Sequence, residues 1–396
     1  MLDGGRTLVL EPVVPLEADH LHLAIVTRNY ATVGGGCLRP SPQTEAALTG
    51  LNVDGGIFDA AWAELPIALA EVGIAPDQVA AATLFRTNAM SRPIEPPSFN
   101  WPWVRSATTC DEDGPTRRCR FTVDFPDRRV NGGHFEAKHH GRPWSVPVTI
   151  WLPRDGIPPF PTVLYGHGIN ASRDSGAWLA HALAAEGMAV VATDGLMHGT
   201  HPSTENPDIA AITFLGLSIG PYHLDLPALD GHFTQTAYER AGILAHLASH
   251  PDIDGDQQAD IATERFAYVG ESLGALLGPQ TLLFSPNIDA TIWITGGGNL
   301  GRLIVENQYL KLLRPLLGEE FGSRAQFDRM IPAIHSSVNA VEPNAFAPQL
   351  SKAFAKNSHE LEARPHILLT AVFDDEVFPT ACATSQASAY AFQPKG

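Results

Sequence analysis

The sequence predicts an α/β protein: a mostly parallel sheet with helices on both faces over residues 120–396, preceded by a small partial β domain. Two observations carry this. From Arg120 onward, short apolar strand candidates alternate with helical segments, the pattern of a parallel sheet covered on both sides. Within that region Arg265–Gly278 reads as an aromatic-rich strand, a Gly-Glu-Ser-Leu-Gly turn and a helix-forming segment in direct succession. The composition agrees, since 44% hydrophobic and 17% charged residues are those of a chain with a sizeable core. A length of 396 residues suits two domains, or one large domain with an extension.

Residues 1–90 differ from the rest. Arg6–Pro12 and His20–Arg28 alternate apolar and polar residues as half-buried strands do. Turn-like stretches follow at Ala31–Cys37 and Pro40–Pro42, then a helix from about Asp59 to Val72 and a third strand at Val79–Arg86. Residues 91–119 read as a linker, with prolines at 93, 96, 97 and 102. Beyond it, Phe121–Phe125 and Ser145–Leu152 make an antiparallel start to the sheet. Strands are then expected at Thr162–Ile169, Met188–Asp194, Phe266–Val269, Ala290–Thr295 and Ile367–Phe373, and helices at Ala177–Glu186, Thr234–Ser249 and Ala381–Tyr390. Residues 301–363 form an insertion between two strands, with an amphipathic pattern over Leu303–Val305 and Tyr309–Leu317. A lid over a binding pocket and ordinary cap-domain core both remain open for it.

The formal charge, 26 − 43 = −17, argues against nucleic acid as partner and against adhesion to anionic membranes. No apolar run is long enough to span a bilayer, and Met1–Arg6 lacks the pattern of a signal peptide. Cys110 and Cys119 bracket a turn-rich segment that suits either a disulfide-closed hairpin or two free thiols; Cys37 and Cys382 have no evident mates. No cysteine has metal-ligand spacing. Asp252, Asp254, Asp256 and Asp260 recur like the start of a calcium loop, but the glycine falls at Gly255 and a bidentate glutamate is out of register. A structural turn is the expectation, with a structural Ca²⁺ site as its alternative and no catalytic metal or other cofactor required.

The Gly270–Gly274 turn is the chemical centre. A serine at the apex of a strand–turn–helix presents its hydroxyl as a nucleophile, and Gly270 and Gly274 keep side chains out of the space where strand and helix approach. A second Gly-x-Ser-x-Gly occurs at Gly216–Gly220. Ser218 is followed by Pro221–Pro227, which does not read as a helix, and no crossover helix precedes it. Ser272 is therefore the expected nucleophile and Ser218 a loop serine.

Taken with Tyr165–Asn170, Asp194 with His198-Gly199, and Asp375–Pro379, in that order, this turn resembles the α/β-hydrolase family over residues 120–396. The whole chain is similar to bacterial exported lipases and esterases with an N-terminal Ig-like segment, matched here by Leu8–Leu16, the strand after it and Ala82–Thr87. The resemblance implies a serine carboxylic-ester hydrolase acting on a small-molecule or lipid ester, and an exported location. Ser272 would form an acyl-enzyme. Its oxyanion would be held by the backbone N–H groups of Leu273 and, after His167-Gly168, of Ile169. Asp375 would be the acid, with Asp374 as the alternative. His167 is expected to organise the loop rather than act as base, and Asp194 to be structural. A peptidase or polyester depolymerase on the same scaffold, and a catalytically inactive binding or surface protein, are the alternatives.

The base is the difficulty. Family order places a histidine after the acid, yet 396 − 375 = 21 residues remain and none is histidine. The simplest expectation is a fragment cut at both ends, with the C-terminal histidine strand absent. The competing one is an intact pseudo-hydrolase, or an enzyme recruiting His198, His201, His223 or His335 from loops.

Overall fold

The computed structural model describes residues 10, 16–17, 19–30, 35–49, 59–87, 99, 105–218, 223–285, 287–307, 336–350, 366–372, 375 and 377–390. The chain divides into two compact units, Leu8–Pro93 and one formed by the remainder.

In the first unit β1 (Leu21–Thr27) pairs antiparallel with β2 (Val79–Arg86), and α1 (Pro42–Leu48) and α2 (Asp59–Glu71) lie between them in sequence. Leu48, Leu65, Leu69, Val79 and Leu84 form its apolar centre. The Pro40–Pro42 stretch starts a helix instead of closing a turn. Ser41 Oγ accepts the Thr44 N–H at 3.1 Å, and Pro42 takes the first helical position, where a missing N–H costs nothing. The strand expected at Arg6–Pro12 lies outside the described residues apart from Leu10. Among the described residues the unit has no second sheet of an Ig-like sandwich.

In the second unit eight strands run in the order β12-β11-β10-β6-β7-β5-β4-β3. They are β3 (Thr109–Asp113), β4 (Thr116–Pro126), β5 (Pro143–Pro153), β6 (Phe160–Gly166), β7 (Ala189–Thr193), β10 (Ile261–Glu271), β11 (Ile288–Ile294) and β12 (His366–Thr370). The five from β12 to β7 are parallel, whereas β5 runs against both β7 and β4. A small pair, β8 (Leu217–Ser218) with β9 (His223–Leu224), stands apart.

β3 falls inside the stretch expected to be linker. It is held to β4 by register and by Asp111, whose carboxylate takes Arg118 and Arg120 at 2.7 Å each. Cys110 and Cys119 are register partners with Cα atoms 4.1 Å apart and form a disulfide. A cross-link closing so short a loop stabilises by roughly 2–3 kcal/mol through the unfolded chain.

The period-two alternation of the central strands decides the layering. Val163 and Tyr165 of β6, Val190 and Ala192 of β7 and Val269 of β10 pack with Leu179 and Ala180 of α3 (Ala177–Ala184). Leu164, Val191 and Tyr268 face the other way, onto Tyr238 and Leu244 of α5 (Leu226–Ser249) and Ala275 of α6 (Leu273–Phe284). Helices thus cover both faces, as the sequence predicts. α5 begins at Leu226, ahead of the expected Thr234, because Asp225 Oδ1 caps it by accepting the Ala228 N–H at 2.9 Å.

The described part of the 301–363 insertion is packed core: Val338, Val341, Phe346 and Leu350 are buried. Glu342 caps α7 (Leu300–Glu306), its two oxygens accepting the Asn299 and Leu300 N–H groups at 2.6 and 2.7 Å. Tyr309–Leu317 lies outside the described residues. α8 (Thr380–Ala389) ends the described chain, after a short α4 (Ala210–Phe214) earlier on.

Candidate active site

Ser272 joins β10 to α6 with φ +52° and ψ −108°, backbone that a non-glycine residue adopts only under strain. Its neighbours explain how the strain is held. Ser272 N–H donates to Ile294 O at 2.9 Å and its carbonyl accepts the Leu276 N–H at 3.1 Å. A Cβ on Gly274 would overlap the Gly166 carbonyl at the end of β6, and one on Gly270 would lie 2.5 Å from Gly274 O. Both glycines are therefore required by close backbone approach. Tyr268 O–H donates to Gly274 O at 2.6 Å, and Arg240 donates to the Tyr268 oxygen at 3.1 Å, so the turn is pinned from beneath. Glu271 accepts the Tyr165 hydroxyl at 2.7 Å; burial pushes that phenol up to about 12.

The loop after β6 comes against the serine. A Cβ on Gly168 would lie 3.4 Å from Ser272 Cβ and 3.9 Å from its Oγ. The Ile169 N–H next in the chain has no hydrogen-bond partner among the described residues. The Leu273 N–H opens α6 and has no acceptor within that helix. Ile169 and Leu273 join one apolar cluster.

His167 holds this loop in place. Its Nε2 accepts the Gly195 N–H at 2.8 Å, which leaves Nδ1–H to donate to Gly168 O at 2.8 Å. The ring is fully buried, and burial, with Arg240 adding to it, holds its pKa well below the ordinary value. With both nitrogens engaged it is a tie between two loops. Asp194 is likewise occupied: it accepts the Arg173 N–H at 2.7 Å, the Thr200 N–H at 2.9 Å and the Arg173 guanidinium.

Asp375 follows β12, and its Oδ1 accepts the N–H groups of Val377 and Phe378 at 2.8 and 2.9 Å. Phe378 packs in the cluster that holds Leu273, which brings the acid's turn toward the elbow. Its other oxygen has no hydrogen bond among the described residues. Asp374 lies outside them.

No described histidine hydrogen-bonds Ser272, whose Oγ has no partner among the described residues. His198 donates Nδ1–H to Leu196 O at 2.7 Å and is buried, its pKa lowered by burial. His201 engages Ser203 and Glu239. His223 sits exposed on β9, and His335 lies outside the described residues. Ser218 ends β8; the short helix α4 precedes it, where the sequence showed no crossover helix, and the next described element is β9.

The acidic turn occupies the opposite end of the sheet, where Asp260 O accepts the Phe160 N–H as β6 begins. Asp252, Asp254 and Asp260 can each offer an oxygen within 4.8 Å of the others, and Asp256 stands outside that group. Their oxygens also accept N–H groups of Ile253, Gly255, Asp256 and Gln257.

Beside the elbow's apolar cluster lies a cavity of about 370 Å³ whose lining includes Met197, Leu217 and His232. Burial depresses His232 to about 4, and its Nδ1–H donates to Phe214 O at 2.9 Å. Because the folded-state value lies below the ordinary 6.5, the unfolded chain takes up a proton that the folded one does not. Its contribution is fully present above about pH 6.5 and is lost as pH falls toward 4, up to about 3 kcal/mol. In His232→Gln, which keeps the donor to Phe214, the fall in melting temperature between pH 7 and 4 is expected to be visibly shallower.

What the sequence missed are the buried pairings of α5. Gln235, Glu239 and Arg240 are all buried; the available signal was four-residue spacing of Gln235 and Glu239 in a helix with too few apolar residues for its burial.

No family model and no curated protein sequence matches this chain. Among solved structures, it is similar to an acetyl xylan esterase from Paenibacillus sp. R4, at 14% identity and TM-score 0.44 over 73% of this chain and 79% of that one. It is also similar to acetyl xylan esterase 1 from Thermoanaerobacterium sp., at 10% identity and TM-score 0.43 over 71% and 77%. A glucuronoyl esterase from Teredinibacter turnerae matches at 13% identity and TM-score 0.38 over 73% and 66%. Likenesses at these TM-scores carry no argument about activity. The strand order, the helices on both faces and the strand–serine–helix turn define the α/β-hydrolase fold.

Proposed function

We propose that the chain is a serine carboxylic-ester hydrolase that forms an acyl-enzyme on Ser272. The observation that carries this reading is the strained φ of +52° at Ser272, with α6 starting at the next residue. Strain of this kind persists only where surrounding structure enforces it, and here it turns a hydroxyl toward the Gly168–Ile169 loop.

In the proposed reaction Ser272 Oγ attacks the ester carbonyl and its proton passes to a base. The oxyanion is taken by the N–H groups of Leu273 and Ile169, each worth on the order of 3 kcal/mol in the transition state. The base returns the proton to the departing alcohol, and water then releases the acid. Asp375 would orient the base through its unused oxygen and stabilise the imidazolium. Among the described residues no histidine hydrogen-bonds Ser272 to serve as that base. The substrate is a small-molecule or lipid ester. The Cys110–Cys119 disulfide supports an exported location, since such bonds persist in oxidising compartments; no described helix is long and apolar enough to cross a membrane.

A fluorophosphonate probe tests this on the purified protein, with the adduct located by peptide mass mapping. The expected result is an adduct at Ser272 that vanishes in Ser272→Ala. No adduct at Ser272 in a folded, full-length protein overturns the reading.

A further inference from the structure

A second serine meets a base and an acid elsewhere in the chain. His201 and Glu239 are buried together, with side-chain exposures of 0% and 1%, and His201 Nε2 lies 3.0 Å from Glu239 Oε2. Glu239 is fixed from its other oxygen, which accepts Trp144 Nε1–H and Gln235 Nε2–H at 2.8 Å each. The Trp144 ring also stands edge-on to the imidazole, centroids 5.0 Å apart. Ring position, acid position and burial are thereby determined from three sides.

The remaining nitrogen identifies the tautomer. The Ser203 backbone N–H donates to His201 Nδ1 at 3.1 Å, so Nδ1 carries a lone pair and the proton sits on Nε2, facing the carboxylate. Ser203 Oγ lies 2.7 Å from the same Nδ1, close enough for its hydroxyl to share that lone pair with the backbone N–H. The same Oγ accepts the Met197 N–H at 2.9 Å, which leaves the hydroxyl proton directed at the ring. Ser203 is only half-buried, and it lines the cavity of about 370 Å³ described above. The walls near it are largely apolar, with Met197, Ile209, Leu217 and Ala228, while Glu205 and Asp225 carry the charge.

We propose that Ser203 is a second, base-activated nucleophile that takes acyl or phosphonyl groups from small uncharged esters entering this cavity. Nucleophile within hydrogen-bond reach of a base, with the base held by a buried acid, is the arrangement that activates a serine. Here imidazole Nδ1 faces the serine and Nε2 the acid. The apolar walls favour an uncharged donor, and the two carboxylates disfavour an anionic one. In the step, a bond forms between Ser203 Oγ and the ester carbonyl carbon, and the carbon–oxygen bond to the alcohol breaks. The serine proton passes to His201 Nδ1 and then to the departing alkoxide, while Glu239 holds the ring through Nε2–H. Water reverses the path and frees the acid. With a fluorophosphonate, the oxygen–phosphorus bond forms, the phosphorus–fluorine bond breaks, and proton and fluoride leave together.

The test uses the full-length protein carrying Ser272→Ala, checked for an unchanged melting temperature and treated with a fluorophosphonate. The expected result is an adduct at Ser203, with none at Ser106 or Ser172 in the same digest, which have no such base. His201→Gln should slow it at least 100-fold, and Ser203→Ala should remove it. No adduct at Ser203 in the folded Ser272→Ala protein overturns the proposal. So does an adduct that forms at the same rate in a folded His201→Gln variant, or one matched at the control serines. Failure of the Ser272 reading shows separately, as absence of an adduct at Ser272 in the unaltered protein.

Discussion

Gly274→Ala is expected to remove fluorophosphonate labelling at Ser272 and to lower the melting temperature sharply. The added methyl group would overlap the carbonyl of Gly166 and stand 3.1 Å from its Cα. Those are backbone atoms at the end of β6, which is paired to β10 on one side and β7 on the other. No flexible side chain can give way, so α6 must move off the sheet. Overpacking where side chains can adjust costs about 1–3 kcal/mol, and this site should reach the top of that range or exceed it. The chemical effect should be larger than the loss of stability. The Leu273 N–H is adjacent to the displaced residue, and losing one oxyanion donor slows reaction by on the order of 10²–10³. Thermal melts and labelling rates measured on one preparation check both parts. Normal labelling at Ser272 in Gly274→Ala would show that the close approach does not govern the turn.

That residue also shows how far the sequence could be read. The strand, the Gly-x-Ser-x-Gly turn and the helix were legible because each is a local pattern, and a turn so tight demands glycine in the chain itself. Preferring Ser272 to Ser218 as the proposed nucleophile rests on the flanking segments; the structure does put a short helix, α4, ahead of Ser218, and the next described element after it is the short strand β9. Helix starts were less visible. Pro40–Pro42 and Leu226–Pro227 look like breaks, since proline interrupts helices in their interior, yet each sits in a first turn behind a capping Ser41 or Asp225. β3 was hidden for a different reason. Three of its five residues, Asp-Glu-Asp, are of types depleted in strands, and pairing with β4, the Asp111 ion pairs and the disulfide hold them there. The Ser203–His201–Glu239 arrangement was beyond reach, because 38 residues separate His201 from Glu239 and only the fold brings them together. The loops carrying Gly168, Asp194, Ser272 and Asp375, in contrast, each follow a parallel strand, β6, β7, β10 and β12.

Asp194→Ala is expected to cost about 3–5 kcal/mol, the usual consequence of removing one partner from a buried ion pair. The Asp194 side chain is fully buried and that of Arg173 is 13% exposed, so the guanidinium would be left without its counter-charge. The Arg173 and Thr200 N–H groups would lose their acceptor as well. A drop in melting temperature on the order of 10 °C follows, at roughly 2–4 °C per kcal/mol. Arg240→Met should behave in the opposite way, although Arg240 is buried more deeply. Among the described residues its guanidinium meets no carboxylate; it donates once, to the Tyr268 oxygen, and Nε and the second terminal nitrogen have no partner. A lone buried cation costs more to desolvate than one neutral hydrogen bond returns. Tyr268 would keep its own bond to Gly274 O, and methionine fills much of the same volume. Replacement should therefore be neutral or stabilising in a thermal melt, and the difference in sign between the two variants is the measurement. A loss in Arg240→Met as large as that in Asp194→Ala would mean that the guanidinium has a strong partner beyond the described residues. With the expected signs, the loops around Ser272 and Ser203 depend on Asp194, which ties Arg173 behind the Gly168–Ile169 loop to Thr200 just before His201.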